Sequence, residues 1–353
     1  MKNLKKLVSI VLSLSMLIGV MAVSVSAKSY SDVETSAAYY EAVDILSGLK
    51  ILEGDEEGNF NPDAEIKRSE FAAVVCRALG QENAANGSKG FTKFSDVSTD
   101  HWAVGYINWA AQQKIVNGIG DNQFAPDAPV KYQEAVKMLV AALGYEPMAA
   151  RKGGYPTGYM VVAASNNMGV SGVGGTENAA RKVVAQLTYQ ALDVPLMDAS
   201  YFSTSGADEY LVYNGKNGTD PKTILSQYLT VAKIKADVTA TARSNDNYYK
   251  KNGEQVQLKM TACYTPFTWD DLDYVMGGNG DFANNRTLDA MVGETNAGEY
   301  LGYKVVAYVG FDDDDNYTLY AITPDLKSNN MLTVEKDIEE AIYNANGTSL
   351  FTY

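Results

Sequence analysis

The side chains that most often perform catalysis are scarce in this sequence. It has one histidine, His101, and two cysteines, Cys76 and Cys263, which lie far apart. A zinc site of histidine and cysteine is therefore disfavoured, and a serine or cysteine nucleophile would have to use His101 as its base. Cys76 falls in a helical pattern and Cys263 in a strand pattern, so we expect two buried free thiols.

Acidic residues offer two further kinds of chemistry. Asp312, Asp314 and Asn316 have the one-three-five spacing of a calcium loop, but they lack its glycine and its bidentate glutamate. We interpret them as a solvated hairpin tip. Carboxylate pairs such as Asp270 and Asp271 have the residue types of a glycosidase, although proximity in sequence does not define a site. The sequence therefore predicts no metal, no cofactor and no enzymatic activity.

The charge balance excludes two classes of partner. The chain has 29 Lys and Arg residues against 43 Asp and Glu residues, a formal net charge of −14. This excess of acidic residues argues against a protein that binds nucleic acid and against one that binds a membrane surface through a polybasic segment. Hydrophobic residues make up 46% of the chain, enough for a packed core.

Residues 1–27 have the pattern of a cleaved signal peptide. Three lysines precede an apolar run, and Val25-Ser26-Ala27 supplies the small residues of a cleavage site. The alternative is a retained membrane anchor, for which the apolar run is short. We expect an exported chain that has no membrane contact after cleavage, because no second apolar stretch approaches membrane length.

An internal repeat at an offset of 64 residues organises the first half of the chain. The matching pairs are Tyr30-Ser31-Asp32-Val33 with Phe94-Ser95-Asp96-Val97, Gly54 with Gly118, Phe60-Asn61-Pro62-Asp63 with Phe124-Ala125-Pro126-Asp127, Glu70 with Glu134, and Leu79-Gly80 with Leu143-Gly144. A third, degraded copy aligns Gly172 with Gly118 and Arg181 with Tyr132. It has lost about five residues from the Phe-x-Pro-Asp loop.

Each copy has the pattern of a helix, a loop and a second helix. In the second copy the first helix is predicted from about His101 to Lys114, with Trp102 and Ile107 on its apolar stripe, and the second helix from near Lys131. The second helices share one apolar stripe, formed by Phe71, Val74, Val75, Ala78 and Leu79, by Ala135, Met138, Leu139, Ala142 and Leu143, and by Val184, Leu187, Thr188, Ala191 and Leu192. We expect these helices to pack in a central three-helix bundle with pseudo-threefold symmetry.

These motifs resemble the S-layer homology family. Its pattern joins F-S-D-V, a helix that bears a tryptophan, a glycine, F-x-P-D, and I-T-R-A-E at the second helix; Ile66-Lys67-Arg68-Ser69-Glu70 and His101-Trp102-Ala103 match parts of it. The resemblance covers residues 30 to about 197. It implies a three-pronged spindle that anchors an exported protein non-covalently to the Gram-positive cell wall, where grooves bind the secondary cell-wall polysaccharide through a pyruvylated sugar. It also implies a place in an S-layer, with the chain itself or other S-layer proteins as partners.

The resemblance also implies which residues bind the polymer. Helix N-termini with free N–H groups suit a pyruvyl carboxylate, and arginine suits it further. The candidate polymer-binding residues are Asp32, Gly54, Arg68, Asp96, Trp102, Gly118, Lys131, Gly172 and Arg181. Structural roles stay open for several of them: Trp102 in the core, and Asp32 and Asp96 as caps or turn closures. Glu70 and Glu134 are expected to bond back to the backbone at their helix starts.

Departures from the family pattern put polymer binding by at least one groove in doubt. Tyr132 replaces the motif arginine in the second copy, where Lys131 supplies a nearby charge. Val183 replaces the glutamate in the third copy, and Ala38 stands where Trp102 aligns. The acidic chain also repels an anionic polymer, so binding should depend on local positive sites and on salt.

The chain changes character after Pro195. The predicted organisation is a signal peptide at 1–27, repeats at 28–93, 94–147 and 148–197, a linker at 198–221 with one short strand, and a small antiparallel β-rich module at 222–353, barrel-like and truncated at its end. The fold class is α+β multidomain. Alternation marks strands around Ile234 and Val256, and two segments flanking 312–315 predict a hairpin.

Two other functions remain open for the β-rich module. It could make the protein a wall-anchored enzyme acting on polysaccharide, or a carbohydrate-binding adhesin. An exposed aromatic patch that includes Tyr264, Phe267 and Trp269 would favour the adhesin.

Overall fold

The structure is a computed structural model that describes residues 30–202, 210–212, 222–242, 244, 249–250, 253–265, 287–311, 316–325 and 327–329. The predicted signal peptide, the 312–315 turn, Asp270, Asp271, Phe267 and Trp269 lie outside these residues. Tyr264 lies within them and is exposed. Within the described part, no helix combines the length and the apolar character that a membrane span requires.

Helices occupy the region of the predicted repeats. The second helices are α2 (Arg68–Ala78), α5 (Tyr132–Ala142) and α8 (Arg181–Ala191), and each of them contacts the other two. Their predicted apolar stripes are buried apart from Ala142, which is half-buried. The predicted stripe is therefore confirmed in all three helices. Glu70 and Glu134 also act as expected, since each carboxylate accepts the backbone N–H of the residue before its helix, at 3.0 Å in both cases.

The first helices are α1 (Tyr40–Gly48), α4 (Val104–Gln112) and α7 (Thr157–Ser165). The prediction that the second of them starts at His101 is wrong by three residues, because His101 Nδ1 accepts the Ala103 N–H at 3.1 Å and closes a turn there. Trp102 lies in this turn and is 55% exposed, so its place on the buried stripe was also wrong. Ile107 and Trp109 are buried inside α4.

Two short helices follow the second helices of the first two predicted repeats. They are α3 (Glu82–Gly87) and α6 (Glu146–Arg151). Each first helix also packs on a second helix: α4 on α2, α7 on α5, and α1 on α8. The third of these pairs joins the beginning of the described chain to the end of the third predicted repeat.

Three extended segments at the starts of α2, α5 and α8 bond to one another in a closed cycle. We call them the inter-repeat ring: residues 64–69, 128–133 and 177–182. Val130 donates its N–H to Ile66 O, Ala179 donates to Val130 O, and Ile66 donates to Ala179 O, at 2.9, 2.8 and 3.0 Å. The first residues of the helices continue the cycle, from Arg68 to Ala128 O, from Tyr132 to Glu177 O and from Arg181 to Ala64 O.

The second half of the described chain is rich in strands. β1 (Met197–Phe202) pairs antiparallel with β2 (Tyr210–Val212), so the predicted linker contains a second strand as well as the expected one. The other strands are β3 (Ala232–Thr241), β4 (Tyr249–Lys250), β5 (Gly253–Cys263), β6 (Thr287–Met291), β7 (Lys304–Phe311) and β8 (Tyr317–Pro324). A π-helical turn, Leu225–Leu229, precedes β3.

The pairings of these strands close into a barrel. β3 pairs with both β5 and β7, β5 pairs with β6, and β7 pairs with β8 as the predicted hairpin. β6 pairs with β8 in parallel, which corrects the expectation of an antiparallel module. The alternating residues Ile234, Val256 and Leu258 point into its buried core, as period-two patterning requires.

The two halves are packed together. One buried cluster contains the stripes of the helices and also Ile224, Leu225, Tyr308 and Ala321 of the second half. At the C-terminal end of α5, Gly144 has φ +84°, and a Cβ added there would lie 2.3 Å from Met197 O of β1. Only a residue without Cβ permits this approach.

We expect Gly144→Ala to destabilise the fold more than Gly58→Ala. Both glycines have nearly the same backbone conformation, φ +84° and +82°, but a Cβ at Gly58 meets nothing within 4 Å. Strain from the left-handed conformation, about 1–2 kcal/mol, is common to both. The overlap with Met197 adds about 1–3 kcal/mol for Gly144→Ala alone. Urea unfolding measures the difference, and equal losses would contradict the docking of β1 on α5.

Candidate functional site

Asp32 and Asp96 close the Phe-x-Pro-Asp loops. Asp32 accepts the N–H groups of Phe60 and Asn61 at 2.8 and 2.6 Å. Asp96 accepts those of the equivalent residues Phe124 and Ala125 at 2.8 and 2.7 Å. The sequence left open whether these aspartates cap helices or close turns, and the structure shows that they close turns. In each aspartate both carboxylate oxygens accept a backbone N–H. Their contact with a polymer stays a prediction.

The candidate glycines fall into two groups. A Cβ at Gly54 would lie 2.4 Å from the Tyr30 ring, and one at Gly118 would lie 2.6 Å from Gln123 O and 3.0 Å from the Phe94 ring. These two glycines therefore permit the loop to fold against itself. Gly172 has φ +81° and open space where its Cβ would be, so it is the candidate glycine that offers room to a ligand.

The motif arginines join neighbouring repeats. Arg68 is 8% exposed; its Nε donates to Phe124 O at 2.9 Å and its guanidinium lies over the Phe124 ring. It also forms an ion pair with Glu134 at 3.1 Å. Arg181 repeats the arrangement one step around the cycle, donating to Phe60 O and Glu53 O at 2.7 Å each.

Tyr132 takes the arginine position at the remaining joint, and its hydroxyl accepts the Val170 N–H at 2.9 Å. All three residues thus tie a second helix to the loop of the next repeat. The buried donors of Arg68 already have protein partners, so the geometry favours a positioning role for it. Its predicted contact with a polymer stays a prediction.

The amides at the helix starts are also in use. The second residues of α2, α5 and α8, namely Ser69, Gln133 and Lys182, donate their N–H groups to carbonyls of the neighbouring repeat, as the first residues do. First-turn amides normally lack a partner within the helix. The expectation that these groups are free to receive an anion is therefore wrong for the first two residues of each of the three helices.

The lysines near the helix starts differ in their partners. Lys67 Nζ lies 2.9 Å from Asp127, and Lys182 Nζ lies 2.5 Å from Asp63. The hydrogen bond raises the pKa of Lys67 and lowers the pKa of Asp127, so both stay charged. In the predicted third repeat, the hydrogen bonds at the start of α8 and α5 align Thr176 with Asp127 and Asp63.

Lys131 is consequently the exception. It is exposed, and it has no ion pair among the described residues. It immediately precedes α5, beside the groove between α5 and α7. The position that holds Asp127 opposite Lys67 holds Thr176 opposite Lys131, so no carboxylate stands there.

Exposed aromatic side chains stand at the starts of two first helices. Trp102 is 55% exposed and lies against Tyr106, with ring centroids 6.2 Å apart. Tyr155 is 51% exposed and lies against Tyr159 at the same distance. Sequence reasoning did not select Tyr155 as a site residue, although aligning Gly105 with Gly158 would have matched it to Trp102.

Tyr155 is close to the first turn of α5. Its hydroxyl interacts with the Gln133 side chain, while burial raises its pKa. The exposed ring of Tyr155 and the residue Lys131 therefore both lie near the start of α5, at one end of the groove between α5 and α7. Farther along this groove, an open cavity of about 400 Å³ is lined mainly by apolar side chains, including Val136, Met160 and Val173.

Other chemistry is not assembled in the described part of the chain. No group of three or more His, Cys, Asp or Glu residues there is arranged to hold a metal ion. Both cysteines have free thiols; Cys76 is buried and Cys263 is half-buried. Burial raises the pKa of Cys76 to about 12 and that of Cys263 to about 11, so neither is a ready nucleophile.

Comparison with known proteins identifies the class of domain. The S-layer homology domain family matches residues 29–72 and 93–136, within the first two predicted repeats. The chain therefore carries S-layer homology repeats, as the motif resemblance indicated. Residues 148–197 lie outside the matches, and their assignment as a third repeat stays a prediction.

Particular relatives are surface proteins of Firmicutes. A surface layer protein of Brevibacillus choshinensis is 29% identical over 326 residues, 90% of this chain and 27% of its own length. A cell surface protein of Thermoanaerobacter kivui is 32% identical over 201 residues, 56% of this chain and 26% of its own. A middle cell wall protein of Brevibacillus brevis is 31% identical over 231 residues, 65% of this chain and 21% of its own.

The chain spans about a quarter of the length of these relatives. The matches indicate a secreted protein of the cell surface.

We expect Arg68→Met to lower the free energy of unfolding by about 1.5–3 kcal/mol, because it removes the donor of the buried Phe124 carbonyl and the ionic partner of the half-buried Glu134 carboxylate. Lys67→Met is the matched control. It removes the same charge one residue away, but its exposed ion pair contributes little. Urea unfolding of both variants measures the two losses of stability. If Arg68→Met left the free energy of unfolding unchanged, the guanidinium would not join the repeats.

Proposed function

We propose that the helical repeats bind a pyruvylated sugar of the secondary cell-wall polysaccharide and so attach the protein non-covalently to the wall. The β-rich barrel is then displayed at the cell surface, as part of an S-layer in which this chain or other S-layer proteins are partners. The observation that carries the proposal is Lys131 at the start of α5, an exposed cation that has no carboxylate partner within the described part of the chain. The S-layer homology repeats and the surface-protein relatives support it.

The groove between α5 and α7 is the proposed site. Its lysine can meet the pyruvyl carboxylate in a charge-assisted hydrogen bond. Tyr155 offers an exposed ring face to the sugar, and Gly172 leaves open space nearby in the third repeat. At the other two joints Asp127 and Asp63 neutralise the lysines, so an anionic ligand gains less there.

The other candidate residues have supporting roles in this proposal. Trp102 offers a second exposed ring at the α2–α4 groove, where Lys67 is paired. Arg68 and Arg181 hold neighbouring repeats together, and Asp32, Asp96, Gly54 and Gly118 shape the loops. We further propose that the three segments form a pseudo-threefold spindle with three prongs, which the cyclic contacts of α2, α5 and α8 support.

The test is sedimentation of the chain with purified walls. Walls are used untreated, after mild acid has hydrolysed the pyruvate ketals, and after complete removal of the polymer. We expect binding to untreated walls only, and we expect it to weaken as salt is raised. Equal binding to walls without polymer would refute the proposal.

Lys131→Ala and Tyr155→Ala should weaken wall binding, the former about tenfold, because it removes one hydrogen bond to a charged group. Lys67→Ala is the matched control, with the same change of charge at the next joint, and should bind nearly as well as the unaltered chain. If Lys67→Ala and Lys131→Ala lost binding equally, the groove between α5 and α7 would not be the preferred site.

A further inference from the structure

The helical region has three joints, at each of which a second helix packs on a first helix: α2 on α4, α5 on α7 and α8 on α1. These joints are not equivalent in the chain. The first two join consecutive repeats, whereas the third brings α8 back to the first repeat. Its contacts span 121 residues from Arg181 to Phe60, and 148 residues from Tyr189 to Glu41. Closing a long loop has a conformational-entropy cost that short connections avoid. The α8–α1 joint therefore needs a stabilising element of its own.

The first two joints have such an element in the short helices. After α2, helix α3 packs closely on α4, where a Cβ at Gly105 would lie 2.2 Å from Ala85 O. After α5, helix α6 packs equally closely on α7, where a Cβ at Gly158 would overlap Ala149 O. After α8 there is no corresponding helix among the described residues, because the chain continues into β1 and the barrel.

The barrel contacts α8 through a half-buried cation. Lys233 of β3 is 15% exposed, and its Nζ lies 2.5 Å from Asp193, just after α8. The same ammonium lies over the rings of Tyr189 and Tyr308, 5.7 and 5.6 Å from their centroids. Burial raises the pKa of both tyrosines, so their hydroxyls stay protonated.

The barrel also contacts α1. Strand β8 packs on this helix, and a Cβ at Gly48 would overlap Tyr320 O. From α8, the Tyr189 hydroxyl donates to Glu41 of α1 at 3.0 Å. Tyr189 therefore touches α1 on one side and Lys233 and Tyr308 of the barrel on the other.

We infer that the barrel is a clamp on the α8–α1 joint and takes the place that α3 and α6 occupy at the other two joints. Lys233 is its positioning residue. The helical repeats then need the barrel for their stability, and the structural unit does not end near Leu196. This inference goes beyond the proposed polymer binding and does not depend on it.

Amide hydrogen exchange of the full chain tests the clamp, with Lys233→Met as the variant. The probes at the α8–α1 joint are the N–H groups of Arg181, Lys182 and Ile66, which donate across it. The internal reference is the equivalent set at the next joint, Arg68, Ser69 and Val130. We expect exchange to accelerate about tenfold at the first set, the effect of losing one charge-assisted hydrogen bond, and to stay unchanged at the second.

Lys235→Met is the matched control. Lys235 lies on the same strand and has its own ion pair at 2.5 Å, but with Asp325, next to β8. It should accelerate neither set. Equal acceleration of both sets by Lys233→Met, or none, would overturn the clamp. Because no polymer is present, either result leaves the proposed wall binding untouched.

Discussion

The closed cycle of backbone hydrogen bonds in the inter-repeat ring is the constraint on which the rest of the helical region depends. A helix start has N–H groups without intrahelical partners, and buried ones must find acceptors elsewhere. Here the N–H groups at the start of each second helix donate to carbonyls in the loop of the next repeat. No repeat alone can therefore supply the acceptors that its own second helix needs. Asp32 and Asp96 hold these loops in shape, and Arg68 and Arg181 fasten the helices to them. The motif residues are thus explained first by the need to close the cycle.

Much of the helical fold could be predicted from the repeat. The offset of 64 residues aligned the apolar stripes, and these are buried as expected. The bonds of Glu70 and Glu134 to their helix starts were also predictable, since they are local in sequence. The roles of Arg68 and Arg181 were harder, because their partners lie in other repeats, at separations that no single copy shows. The helical pattern predicted a buried position for Trp102, and this was wrong because Trp102 lies in the turn before the helix and not in the helix itself.

The candidate site was predictable only in part, for the same reason. Lys131 was selected as a substitute charge near a missing arginine. Its distinguishing property is instead the absence of a carboxylate partner in the described structure, because Thr176 stands at the position of Asp127. Tyr155 required the first helices to be aligned at the offset of 53 residues that joins Gly105 and Gly158, one residue less than the offset of 54 that joins Gly118 and Gly172. In the second half, sequence patterning predicted β3, β5 and the β7–β8 hairpin but not β6. It also did not predict that β6 and β8 run parallel, because pairing direction depends on the path of the chain between them.

The ring and the barrel lie at opposite ends of the helix bundle. The ring joins the N-terminal ends of α2, α5 and α8, while Gly80 and Gly144, just beyond the C-terminal ends of α2 and α5, approach Tyr228 and Met197 of the second half. A helix of 11 residues separates the ends by about 16 Å. A protein held at the ring end and pulled at the barrel end would therefore carry tension along its helix axes. Such a load would then pass through the interlocked repeats.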